Sequence, residues 1–253
     1  MTDMIDSTDS TYRLYYWPSL PGRGEFVRLV LEQAGAAYVD VARLPADAGG
    51  GPRAIMAMLA GEGPGLRPLA PPILVCGSLR LAQMPNICAW LAARHGLAPV
   101  GDDARAEAMQ LQLTLADLVD EVHDTHHPVA TSLYYEDQKP EALRRAGEFV
   151  DRRLPKFLRY FEAVVQANGG RHLIGEATSY VDLGMNQMLR GLAYAFPRAL
   201  ARLEPELPGL VALREQVDAL PRIAAYRASD RCVPFNESGI FRRYGELDLD
   251  PTQ

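Results

Sequence analysis

Apolar positions fall at two different spacings along this chain. Between Tyr12 and Trp17 they alternate, Leu14 and Tyr16 on one face and Arg13 and Tyr15 on the other, with the aromatic content of a strand. Pro18, Pro21 and Gly22 break that run. From Gly24 to Gly35 the spacing turns helical: Val27, Val30, Leu31 and Ala34 recur opposite Glu25, Arg28 and Glu32, and Gly35 suits a left-handed C-terminal cap. Tyr38 to Val41 reads as a second strand. Residues 43 to 70 carry Gly49, Gly50, Gly51, Pro52, Gly61, Gly63, Pro64, Gly65 and Pro68 around one helical patch, Ile55 to Leu59, which predicts a loop excursion holding a short helix. Ile73 to Cys76 and Leu79 to Ala82 flank Gly77-Ser78, a two-residue loop with glycine first, as a type II′ hairpin requires. A third helical pattern runs from about Pro85 through Ile87, Trp90 and Leu91 to Gly96.

Past Gly101 the alternating pattern disappears. Segments near 103 to 127, 138 to 168, 179 to 195, 208 to 218 and 221 to 230 all repeat at helical spacing, separated by proline or glycine. The expected organisation is therefore α+β in two domains, a βαβ-ββα domain over 11–97 and an all-helical bundle over 102–235, with an irregular charged tail over 236–253.

Composition narrows the function classes. With 253 residues, 48% hydrophobic and 23% charged, the chain has the make-up of an ordinary globular protein. A formal charge of -6 with no basic run gives no footprint for nucleic acid. Met1 to Thr11 is polar and acidic, unlike a signal peptide, and no apolar stretch reaches the roughly 18 to 20 residues of a spanning helix, so a cytoplasmic protein with no membrane partner is expected. Cys76, Cys88 and Cys232 are an odd set without CxxC spacing, which argues against a disulfide framework or a dithiol site.

Four motifs then point to a family. They are Tyr15-Tyr16-Trp17-Pro18 followed by Gly22-Arg23-Gly24-Glu25, Ala70-Pro71-Pro72-Ile73, Gln83-Met84-Pro85-Asn86, and Ser179-Tyr180-Val181-Asp182. In this order and spacing the sequence resembles the cytosolic glutathione transferases, most closely the tyrosine-type classes. The resemblance implies the two-domain glutathione transferase fold with a thioredoxin-like first domain. It also implies glutathione as co-substrate with no further cofactor, a hydrophobic electrophile as second substrate, and a homodimer.

The residues carry the chemistry that this resemblance implies. A glutathione thiol has the pKa of free cysteine, about 8.5, so only a few per cent is thiolate at neutral pH. A phenol can donate a hydrogen bond to the sulfur and favour its anion. Tyr16 is assigned that role, with Ser19 the alternative and Tyr15 expected in the core. Arg23 is expected to face glutathione or to keep the phenol's surroundings positive. Pro72 is expected in a cis peptide that offers main chain to the cysteinyl part, although Pro71 has no N–H and leaves only its carbonyl as acceptor. The N-terminus of the helix at Gln83 and Met84 is expected to receive the γ-glutamyl carboxylate. Gln83 adds a side-chain amide, whereas Met84 replaces the hydroxyl residue of most relatives. Asp117, near Asp120 and Glu121, is expected to reach the glutamyl amine across the dimer, and Arg53 or Arg67 to meet the glycyl carboxylate.

Other features have plainer readings. Ser179 and Asp182 form a helix-capping box. His123, His126 and His127 have the spacing of a metal site but no evident further ligand, so no metal is expected, and they are placed at the domain interface or the electrophile pocket. That pocket is sought near Tyr134, Tyr135 and Phe235. Gly22-x-Gly24 lacks the third glycine of a dinucleotide loop. Two other outcomes stay open at this point: a glutathione-dependent isomerase or peroxidase, and a non-catalytic binding or scaffold protein.

Overall fold

The computed structural model describes residues 11–248; the acidic N-terminal segment and the last five residues of the tail lie outside the described residues. A four-stranded sheet is ordered β2-β1-β3-β4, with β1 at Tyr12–Tyr15, β2 at Tyr38–Asp40, β3 at Ile73–Cys76 and β4 at Leu79–Ala82. Strand β1 pairs parallel with β2 and antiparallel with β3, as a βαβ unit joined to a hairpin requires. Gly77 has φ 58° while Ser78 keeps a negative φ, which fits the expected type II′ turn rather than type I′.

Helix α1, Gly22–Ala34, crosses between β1 and β2 and ends at Gly35 in the left-handed conformation. It buries Phe26, Val27, Leu29, Val30 and Leu31 against α3, Met84–Arg94, and against the helical part of the chain. The glycine-rich excursion holds α2, Pro52–Ala60, which starts three residues before its apolar patch because Pro52 occupies the first helical position.

Beyond it stand α4, Asp102–Asp124, α5, Lys139–Glu148, α6, Leu154–Ala167, and α7, Tyr180–Ala195. A π-helical turn, Phe149–Arg153, joins α5 to α6. The expected capping box opens α7: Ser179 N donates to Asp182 at 2.7 Å, and Asp182 also accepts from Leu173 N at 2.8 Å. Helices α8, Pro197–Leu203, α9, Pro208–Asp218, and α10, Pro221–Arg227, complete the bundle.

Three expectations need correction. Strand β1 stops at Tyr15, so Tyr16 and Trp17 leave the ladder, and the phenol is aimed by α1 rather than by the alternation of a strand. Helix α8 was hidden behind Pro197, read as a separator although it sits at the helix start. The tail is irregular from 236 to 248, as expected, but it buries Ile240, Phe241 and Leu247, and the Asp248 carboxylate caps α8 through the N–H groups of Arg198 and Ala199 at 2.8 and 3.0 Å.

Candidate active site

Tyr16 lies at the first turn of α1, and it belongs to neither apolar cluster of the core. Its hydroxyl oxygen accepts the N–H of Arg23 at 3.0 Å. A helix start carries unpaired N–H groups and a positive dipole end, so the oxygen occupies a position that favours electron density. The fit depends on two glycines. A Cβ on Gly22 would fall 2.1 Å from the Tyr16 hydroxyl oxygen, and one on Gly24 would fall 2.4 Å from its Cγ, so only glycine lets the helix approach the ring edge to edge. Burial raises the Tyr16 pKa, while the Arg23 N–H and the charges of Arg23 and Arg28 pull it back. The phenol stays protonated at neutral pH.

Arg28, one of the largest fully buried side chains, was not expected in the site. Its guanidinium lies 5.9 Å from the Tyr16 ring centroid and pairs with Asp40 at 2.7 Å and Glu25 at 3.1 Å. Glu25 in turn accepts from Tyr226 at 2.8 Å, which ties α1 to α10. The sequence signal was the i, i+3 pair of Glu25 and Arg28 on the supposedly polar face of α1, where a solvated face is the ordinary reading.

The other expected residues fall into two groups. Pro71-Pro72 is a cis peptide immediately before β3, as the sequence led us to expect. Gln83 takes φ 70° and ψ 114° before α3, the one non-glycine residue with positive φ among those described; such a backbone is held against a cost of order 1–3 kcal/mol and recurs at ligand clamps. Its side chain makes no cap, and Pro85 has no N–H, so the amides of Met84 and Asn86 are the ones α3 leaves to a ligand. The Met84 side chain points the other way: it is buried, and Gln112 of α4 donates to its sulfur at 3.1 Å. Arg23 pairs with Asp120, while Asp117 is exposed three residues earlier and makes no ion pair among the described residues. Glu121 is taken by Arg145 and Arg153. Arg67 donates to Leu59 O at 2.8 Å, Arg53 is exposed on α2, and Ser19 is exposed with its carbonyl bound to Asn236. Tyr15 packs with Val41, Ala42, Ile55 and Ile73, as expected of a core residue.

His123, His126 and His127 touch ring to ring at the end of α4. Both ring nitrogens of His126 are engaged, one with Ile240 O at 2.8 Å and one with His127 at 2.6 Å. No group of three metal-ligating side chains is arranged around a common point among the described residues.

The family model for the glutathione S-transferase C-terminal domain matches residues 123–230. A glutathione S-transferase of Plasmodium yoelii yoelii is 26% identical over 160 residues, 62% of this chain and 67% of that protein. The class-mu 26 kDa isozyme 1 of Fasciola hepatica is 24% identical over 181 residues, 72% of this chain and 74% of its own length. Over these stretches the chain is similar to the glutathione S-transferases. A nematode-specific glutathione transferase from C. elegans shares the transferase fold at TM-score 0.66 and 21% identity, with 90% of this chain and all of that one superposed. Both halves of the fold are thus accounted for, and no helix among the described residues is long and apolar enough to cross a membrane.

Proposed function

We propose that this chain is a glutathione transferase of the tyrosine type, with the Tyr16 hydroxyl donating a hydrogen bond to the glutathione sulfur, the thiol proton passing to solvent, and the thiolate so stabilised attacking a hydrophobic electrophile. The observation that carries the reading is the bond from the Arg23 N–H to the Tyr16 oxygen, because an oxygen that accepts there keeps its own proton free to donate. A hydrogen bond to a charged group contributes about 1.5–3 kcal/mol, or about one to two pKa units on the thiol. That shift moves a thiol of pKa about 8.5 to near neutrality, the task the enzyme must perform. The thiolate then forms a carbon–sulfur bond as the electrophile expels its leaving group or takes the charge.

The remaining interactions follow from what each element leaves unpaired. The Pro71 carbonyl accepts the cysteinyl N–H, and the Met84 and Asn86 amides with the Gln83 side chain receive the γ-glutamyl carboxylate at the positive end of α3. Met84 therefore contributes main chain only. Exposed Asp117 is left to meet the glutamyl amine of glutathione bound to a second subunit, so the working form is a homodimer acting in the cytoplasm, with no cofactor beyond glutathione.

The test is turnover of 1-chloro-2,4-dinitrobenzene with glutathione by wild type and Tyr16→Phe, with a loss of about 10²-fold in kcat/KM expected when one preorganised donor is removed. Equal rates would remove Tyr16 from the mechanism. Product analysis runs beside it, since conjugation consumes glutathione as a thioether, isomerisation returns it, and peroxide reduction yields its disulfide.

A further inference from the structure

The tail places a cation, Arg242, that no carboxylate neutralises among the described residues. Arg242 donates through Nε to Gly239 O at 2.9 Å and through Nη2 to Ser238 O at 3.5 Å, so backbone carbonyls fix its orientation, and no carboxylate pairs with it among the described residues. It lines a cavity of about 440 Å³ together with His127, Tyr134, Ser238 and Tyr244. The two carboxylates on the same wall are engaged or remote: Glu237 accepts from Tyr194 at 2.5 Å and from Arg243 N at 2.7 Å, and Glu136 is exposed at the rim. Tyr244 is held flat, stacked on Tyr135 at 4.0 Å.

The histidines facing Arg242 are neutral, and their tautomers follow from geometry. The Ile240 carbonyl only accepts, so His126 Nε2 carries a proton; burial depresses its pKa to about 3, which leaves Nδ1 as a lone pair. His127 Nδ1 must then donate to it, and His127, depressed by burial to about 4, presents Nε2 as an acceptor. His123, beside Asp124 and Arg23, is also lowered, by burial first. Three imidazoles thus border the guanidinium without offering it a negative charge. A carboxylate would be refused by the His127 lone pair and accepted by Arg242, which fixes its orientation.

The tail that forms one wall of the cavity, and the end of α4 beside it, also reach residues next to Tyr16. Asn236 donates to Ser19 O at 2.8 Å in the loop before α1, and Arg23, whose N–H holds Tyr16, lies close enough to His123 for its charge to act there. Resting on the transferase reading, we propose that this cavity selects aromatic electrophiles that carry a carboxylate, with Arg242 pairing the acid and Tyr134 and Tyr244 flanking the ring.

The experiment compares 4-chloro-3-nitrobenzoate with its neutral isostere 4-chloro-3-nitrobenzamide as acceptors for glutathione, in wild type, Arg242→Gln and Arg242→Lys. Selectivity is the readout: wild type favours the benzoate, and Arg242→Gln lowers the benzoate-to-benzamide ratio of kcat/KM about tenfold or more, mainly through KM, with Lys restoring part of it. Calorimetry with unreactive 3-nitrobenzoate and 3-nitrobenzamide reads the same pairing without turnover. Turnover with no charge preference, or an equal change for both acceptors in Arg242→Gln, overturns the proposal and leaves the transferase reading standing. Benzoate binding that depends on Arg242, without turnover of either acceptor, retains the anion site and overturns the transferase reading.

Discussion

Two helix starts flank the proposed glutathione site, and they use the same physical device to opposite ends. At α1 the positive terminus is filled from within: the Tyr16 oxygen takes the Arg23 amide, and Gly22 and Gly24 clear space for the ring. At α3 the terminus is left open, its entry residue Gln83 held at φ 70° without a side-chain cap and its second position occupied by a proline. The first arrangement uses the unpaired amide to position a protein donor, whereas the second keeps amides for a ligand anion. The difference is that damage at α1 should fall on chemistry, and damage at α3 on affinity.

The sharpest way to break this comparison is Gly24→Ala. Its new methyl would lie 2.4–2.5 Å from Cγ and Cδ1 of Tyr16, so the ring must move, although Gly24 itself has an ordinary φ. Overpacking of this kind costs about 1–3 kcal/mol, against a helix-propensity gain of about 1 kcal/mol. We expect a lower Tm together with a fall in kcat of about tenfold or more, since a proton donor moved out of reach of the sulfur serves the reaction no better than an absent one. Unchanged kcat would mean that the glycines do not set the phenol's position.

A smaller effect is expected at α3. Gln83→Gly relieves the positive φ and loses the amide, whereas Gln83→Ala keeps the strain and loses the same amide. Both should weaken glutathione binding several-fold, on the order of 1 kcal/mol for one hydrogen bond, while only the glycine variant gains stability, by up to about 1 kcal/mol. Calorimetry and thermal denaturation separate the two. A kcat loss in either variant larger than its loss of affinity would blur the division between the two helix starts.

The smallest effect concerns the tail that closes over the α1 side. His126 is buried, and its pKa is held near 3, well below the ordinary value of about 6.5. The unfolded chain binds a proton there as pH falls below about 6.5, and the folded chain does not until about 3. Stability is therefore lost across that window as pH falls, at up to about 1.4 kcal/mol per pH unit for one group. His126→Gln should flatten the decline of Tm between pH 6.5 and 4, and a parallel decline in both proteins would remove His126 as its cause.

Most of the architecture was legible because its signals are local. The alternation around Leu14, the helical spacing of Val27, Val30 and Leu31, the cap at Gly35 and the hairpin at Gly77 each rest on neighbouring residues, and each stands in the fold. The misses share one cause, dependence on partners distant in sequence. Arg28 reads as a surface charge until Asp40 and the Tyr16 ring surround it. Met84 reads as a substituted ligand residue until Gln112, 28 residues on, engages its sulfur in the core. Asp117 and Asp120 occupy nearly equivalent helical positions, and only the location of Arg23 singles out the second. The tail gave no periodic signal because its apolar anchors, Ile240, Phe241 and Leu247, are buried from an irregular segment, Phe241 against Gly191 of α7.

The most direct measurement is the ionisation of bound glutathione, followed by thiolate ultraviolet absorbance across pH in wild type and Tyr16→Phe. The account predicts a bound thiol about one to two pKa units below the free value of about 8.5 in wild type, returning toward that value without the phenol. The same bound pKa in both proteins would contradict it.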